Sequence, residues 1–246
     1  MLPTAGARVA AALFVVVLVV NLAARCVPGP VVLEPSGNVV VLDTFVVVQI
    51  TQWFLLPLLA LTFWAATSSP RSRLVRLTLL ALVLAALGDV LPGLVDPRWS
   101  PVVLVLAAVG SQAAYVCAFW PYRGATAAGR RRALAVVYGA VYLAVVGTVV
   151  VVAPGPGGGG DGTGFIVSVA VYGALLVTTA VLAAGVHRAS AVGAGLVVVS
   201  EGLLALGAAG VPWVMALPVG LHGVLIVSAA VIGQALVALG VLRRRG

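Results

Sequence analysis

The chain has 246 residues, 63% of them hydrophobic and only 8% charged, with a mean hydropathy of +1.23. Soluble domains carry about a quarter charged residues, so this composition excludes a water-soluble globule and points to an integral membrane protein. The net charge of +8 comes from arginine alone, because the chain has no lysine. A pI of 10.8 in a soluble chain would suggest nucleic acid. In a chain this apolar the arginines are topology signals instead, and no nucleic-acid partner is expected. The lysine-free composition, rich in Ala, Val and Gly, suits a GC-rich bacterial genome and hence a bacterial plasma membrane.

A membrane-spanning helix needs about 20 apolar residues. In chain order, such windows fall at about residues 9–25, 43–66, 74–95, 99–120, 133–153, 164–186, 190–210 and 217–242. They predict an all-α integral membrane protein, one membrane domain over residues 1–246 built as a bundle of eight transmembrane helices. The first window, with Arg8 before it, has the look of a signal peptide. Ala23-Ala24-Arg25-Cys26 is a poor cleavage site, however, so the window is read as a retained span.

With eight spans, Arg8, Arg71, Arg73, Arg76, Arg123, Arg130, Arg131, Arg132, Arg188, Arg243, Arg244 and Arg245 all fall on one side. Only Arg25 and Arg98 fall on the other. The positive-inside rule then places both termini in the cytoplasm. Glu34, Asp43, Asp96 and Asp161 are left outside. Asp161 belongs to a glycine-rich stretch, residues 154–162, that no Gly-Lys-Ser/Thr follows, so it reads as a linker rather than a phosphate loop.

Asp89, in Leu87-Gly88-Asp89-Val90-Leu91-Pro92, and Glu201, in Val199-Ser200-Glu201-Gly202-Leu203, are the two of six acidic residues that lie inside apolar runs. A carboxyl within a span is costly to insert, by about 2.5–3.5 kcal/mol at mid-membrane, and demands a compensating role. Each follows a small residue, and each lies in the third span of a set of four, which suggests a 4+4 pseudo-repeat. Other polar residues within spans are Gln49, Gln52, Ser111, Gln112, Tyr115, Ser168, Tyr172, Thr179, Ser200 and Gln234. These can converge on one pocket, although Gln49, Ser168 and Thr179 read equally well as interhelical glue. Tyr138 and Tyr142 read as packing residues and His222 as an interfacial histidine.

Cys26 and Cys117 make no disulfide framework, and no metal-ligand spacing occurs, so neither a metal nor another cofactor is expected. Every arginine lies near a span end, which leaves Asp89 and Glu201 without a buried cation. Two such carboxyls brought together would share a proton and titrate as a unit. They would supply an acid and a base, as paired carboxyls do in glycosidases.

These residues also carry a family resemblance. Thr51-Gln52-Trp53-Phe54-Leu55-Leu56-Pro57-Leu58-Leu59 is similar to the TKPLLMPLL stretch of the YhhN family of membrane proteins. Gly88-Asp89 matches that family's GD, Gln112-Ala113-Ala114-Tyr115 its HxxY, Ser200-Glu201 its SD and Gly233-Gln234 its AQ. The order and spacing of these motifs, more than any one of them, carry the likeness. The family lysine is Gln52 here, the proline after it Trp53, the histidine Gln112 and the second aspartate Glu201.

Characterised members of the family are lysoplasmalogenases. The resemblance therefore implies cleavage of a lysolipid vinyl ether, with Asp89 and Glu201 as the catalytic carboxyls. Gln52, Gln112, Tyr115, Tyr172, Ser200 and Gln234 would bind substrate, a lysophospholipid or another single-chain amphiphile drawn from membrane lipid. The lost lysine and histidine favour the alternative of a non-catalytic lipid-binding or proton-coupled transport protein on the same scaffold. A purely structural membrane protein is the third reading.

Overall fold

The computed structural model describes residues 4–27, 31–33, 40–125, 128–152 and 162–244. Glu34, Asp161, Arg245 and most of the glycine-rich stretch lie outside these residues. Among the described residues, eight helices are long and apolar enough to cross a membrane. They are α1 (Ala5–Cys26), α2 (Thr44–Ala65), α3 (Arg73–Val90), α4 (Ser100–Phe119), α5 (Ala128–Val152), α6 (Gly162–Val186), α7 (Arg188–Ala208) and α9 (Val219–Arg244). The short α8 (Pro212–Met215) joins α7 to α9. The apolar windows thus located every span to within a few residues. They gave no sign of the small antiparallel ribbon between α1 and α2, in which β1 (Val31–Leu33) pairs with β2 (Val40–Leu42) and Val32 faces Val41.

The helix ends follow from local chemistry. The side chains of Thr4, Asp43, Ser72 and His187 each accept a hydrogen bond from a first-turn amide of α1, α2, α3 and α7 respectively. Pro92 has no amide hydrogen, and α3 stops at Val90, passing into a 3-10 turn over Leu91–Gly93. Gly210, at φ 73°, makes the left-handed turn that closes α7.

The arginine-rich face is held by arginines on helix-terminal carbonyls, where a cation also complements the helix dipole. Arg244 donates to the carbonyls of Gly185 and Val186, and Arg71 to those of Trp64 and Thr67. Arg71, Arg123 and Arg244 also stack on Trp64, Trp120 and Tyr122. On the same face Thr4 donates to the carbonyl of Ala65 and ties α1 to α2.

The most extensive packing is between α7 and α9, α1 and α2, and α3 and α4; α6 bridges α4 to α7. The main core runs through this arrangement, from Leu59 and Phe63 through Leu82 and Tyr115 to Val197 and Val241. By contrast α5 is peripheral, and Val136, Leu143 and Val151 project outward from it as a lipid-facing surface. Charge sidedness gives a direct expectation. A cysteine placed after Arg244 should react only with reagent on the cytoplasmic side, and one placed at Trp99, beside Arg98, only from outside. Labelling of both from the same side would overturn the assignment.

Candidate functional site

Asp89 lies in the last turn of α3 rather than in mid-span, because Pro92 ends the helix just beyond it. Glu201 lies seven residues before the end of α7, about 10 Å from it along the axis. Both are therefore in the half of the bundle opposite the arginine-rich face. The two carboxyls are close enough to interact electrostatically. The Tyr172 hydroxyl of α6 interacts with Glu201 and with the Gln112 side chain of α4, and with Asp89 electrostatically. Among the described residues neither carboxyl has a cationic partner, and the ion pair seen is Arg98 with Asp96 on the surface.

The small residue before each carboxyl has a packing role. A Cβ on Gly88 would come within 3.3 Å of Ala107, so glycine lets α3 lie close against α4. Ser200 is buried and donates to the carbonyl of Ile226 at 2.8 Å, tying α7 to α9. Successive helical residues are separated by about 100° around the axis. Turning the small residue toward the neighbouring helix therefore turns the carboxyl away from that contact. Ser200 was expected to bind substrate; its hydroxyl hydrogen goes to this interhelical bond.

Behind Glu201 the polar residues continue inward. Tyr115 donates to the Gln234 amide oxygen at 2.6 Å, joining α4 to α9. These two residues, with Gln112, Thr179 and the apolar Leu176, Ala194, Val197 and Val237, surround a cavity of about 10 Å³. The Gln112 Oε1 and Thr179 Oγ1 atoms there have no hydrogen-bond partner among the described residues. A cavity of that size is just large enough for a single water, although its lining is mostly apolar. The Tyr115→Phe variant leaves the buried Gln234 oxygen unpaired and should lower stability by about 1–3 kcal/mol, read as a loss of thermal stability in detergent. A Tyr115→Phe/Gln234→Leu double variant should lose less than the two single losses combined.

Other polar residues are spent locally. Ser111 donates to the carbonyl of Ala81, and Ser168 to that of Gly164 in its own helix. Tyr142 donates to the carbonyl of Ala170, a packing bond between α5 and α6. Tyr138 lies against Gly195, and His222 against Gly207. Cys26 and Cys117 are free.

At the end of α1, α2 and α9 away from the arginine-rich face the structure corrects one expectation. Arg25 does not merely mark one side of the bundle. Its Nε donates to Asn21 Oδ1 at 2.9 Å and its Nη2 to Gln52 Oε1 at 2.6 Å. Asn21, fully buried, donates in turn to the carbonyl of Val48 and to Thr51 Oγ1. A cation is therefore delivered by α1 to the Gln52 side chain of α2. The sequence signal was available, since an asparagine within an apolar run sits one helical turn before an arginine. Gln49 and Trp53, on the same side of α2, approach Gly93, four residues beyond Asp89.

The sequence model of the YhhN family matches residues 49–241. No curated protein and no solved structure matches the chain.

Proposed function

The chain belongs to the YhhN family, and from that premise we propose that it is a membrane-embedded lysolipid hydrolase, lysoplasmalogenase-like, acting on a vinyl ether. The observation that carries this reading is the juxtaposition of Asp89, Glu201 and Tyr172. Vinyl ether hydrolysis begins with proton transfer to the alkene carbon remote from oxygen, which leaves an oxocarbenium ion. Water adds to that cation, and the resulting hemiacetal collapses to a fatty aldehyde and a glycerophospho-alcohol.

One carboxyl of the pair delivers the proton, and the other, ionised, stabilises the cation and takes a proton from the attacking water. Tyr172 and Gln112 hold the carboxyls and orient the water. Gln52 and Arg25 face the headgroup, and the alkenyl chain lies between helices. The experiment is release of aldehyde from a lysoplasmalogen by purified protein. No release under any condition of pH or detergent would remove the reading.

A second reading is proton-coupled transport. It is favoured by the run of polar groups from Asp89 and Glu201 through Gln112 to Tyr115 and Gln234, toward the arginine-rich face. Solute uptake into vesicles that requires a proton gradient, without aldehyde release, would select it.

A further inference from the structure

We infer that Arg25 is the core of a phosphate-binding site at the outer end of α1, α2 and α9, which takes the headgroup phosphate of a single-chain phospholipid. The inference rests on the hydrolase reading for the lipid class, and on the geometry of Arg25 for the phosphate.

An arginine that only marks topology extends into water or toward anionic headgroups. Arg25 instead turns onto the bundle. Its guanidinium is fixed at two points by neutral acceptors, Asn21 Oδ1 and Gln52 Oε1. Neutral amides hold the group in place without cancelling its charge. Its Nη1 lies over Gly223 of α9, where a Cβ would approach it to 2.7 Å, so glycine at that position leaves room for the side chain. Nη1 makes no hydrogen bond with the described residues, and no described carboxylate pairs with Arg25. Arg98, on the same side of the bundle, makes the opposite choice and pairs with exposed Asp96.

A half-buried cation, oriented by two hydrogen bonds and keeping donors that no described residue takes, matches an oxyanion. A guanidinium also presents paired donors to phosphate oxygens. The placement favours a lipid over a soluble anion. Arg25 is the penultimate residue of α1, at the depth where headgroups lie. The polar side of α2 leads from Gln52 to Gln49 and Trp53 at Gly93, hence to the end of the helix that carries Asp89. The side chains of α2 thus connect Arg25 with the end of the helix that carries Asp89.

The test measures binding rather than turnover. Purified full-length protein in non-ionic detergent is titrated with a saturated 1-O-alkyl lysophosphoethanolamine and with the 1-O-alkylglycerol of the same chain. Neither has a vinyl ether to hydrolyse. The wild type should bind the phosphate-bearing lipid at least about tenfold more tightly, the scale of a charge-assisted hydrogen bond. Arg25→Gln should erase that preference while leaving the alkylglycerol affinity unchanged.

An Arg25→Gln/Gln52→Lys variant should restore the preference, because an ammonium at position 52 stands where the guanidinium meets Gln52. It also keeps the inference falsifiable if Arg25→Gln alone fails to fold. Full preference retained in folded Arg25→Gln would overturn the site and leave Arg25 as a tether between helices. Inorganic phosphate competing as well as the lysolipid would assign the site to free phosphate and overturn the lipid. A wild type with the preference but no aldehyde release would retire the hydrolase and keep the site; release without the preference would do the reverse.

Discussion

Asp89→Asn and Glu201→Gln are each expected to lower aldehyde release by at least about 10²-fold, the smaller end of what general acid–base catalysis contributes. Each amide keeps the size and hydrogen-bonding capacity of the carboxyl it replaces but can neither give nor take the proton. The helices should remain assembled, because the packing on either side is made by Gly88 against Ala107 and by Ser200 on the carbonyl of Ile226, not by the carboxyls. Thermal stability in detergent should hold or rise, since a group that is costly to place in a membrane is gone. The measurement is aldehyde release against pH for wild type, both single variants and the double variant. If the two groups act as one acid/base unit, the double variant should lose about as much as either single one. Undiminished release from both amide variants would exclude the carboxyls from the reaction.

The second large effect concerns assembly. Gly193 of α7 and Gly233 of α9 meet backbone to backbone: a Cβ on Gly233 would lie 2.7 Å from the Gly193 carbonyl oxygen, and a Cβ on Gly193 would strike that of Gly233. Nearer the arginine-rich face, Ser190 packs against Gly240, with its hydroxyl on the carbonyl of Val237. A carbonyl cannot withdraw as a flexible side chain can. Gly233→Leu must therefore separate α7 from α9 by several ångströms, and Gly193→Leu the same. Each is expected to cost more than the 1–3 kcal/mol typical of an overpacked core and to remove the folded protein from detergent extracts, read by size-exclusion chromatography. The substitution Gly139→Leu on α5, where a Cβ meets nothing within 4 Å, is the control and should be silent. A folded, monodisperse Gly233→Leu protein would show that α7 and α9 do not meet as described.

What the sequence by itself determined was the set of eight spans, the sidedness of the arginines and the short inventory of polar residues within the spans. Those properties are local. The free energy of moving a helix from water into lipid is summed residue by residue, so a window of apolar residues reports it without any knowledge of neighbours. Asp89 and Glu201 were legible for the same reason, because an ionisable group in an apolar run stands out wherever its helix lies.

Tertiary structure alone decided which side chains those polar residues meet. It spent Ser200 on a carbonyl of α9 and turned Arg25 inward onto Asn21 and Gln52. It also set Tyr115 on Gln234 across 119 residues of chain. Lipid tails are as apolar as the core, so the rotation of each helix and its choice of partner leave no hydropathy signal. They are fixed by where glycine lets two backbones approach and where a polar atom finds a partner, and both depend on every helix being in place at once.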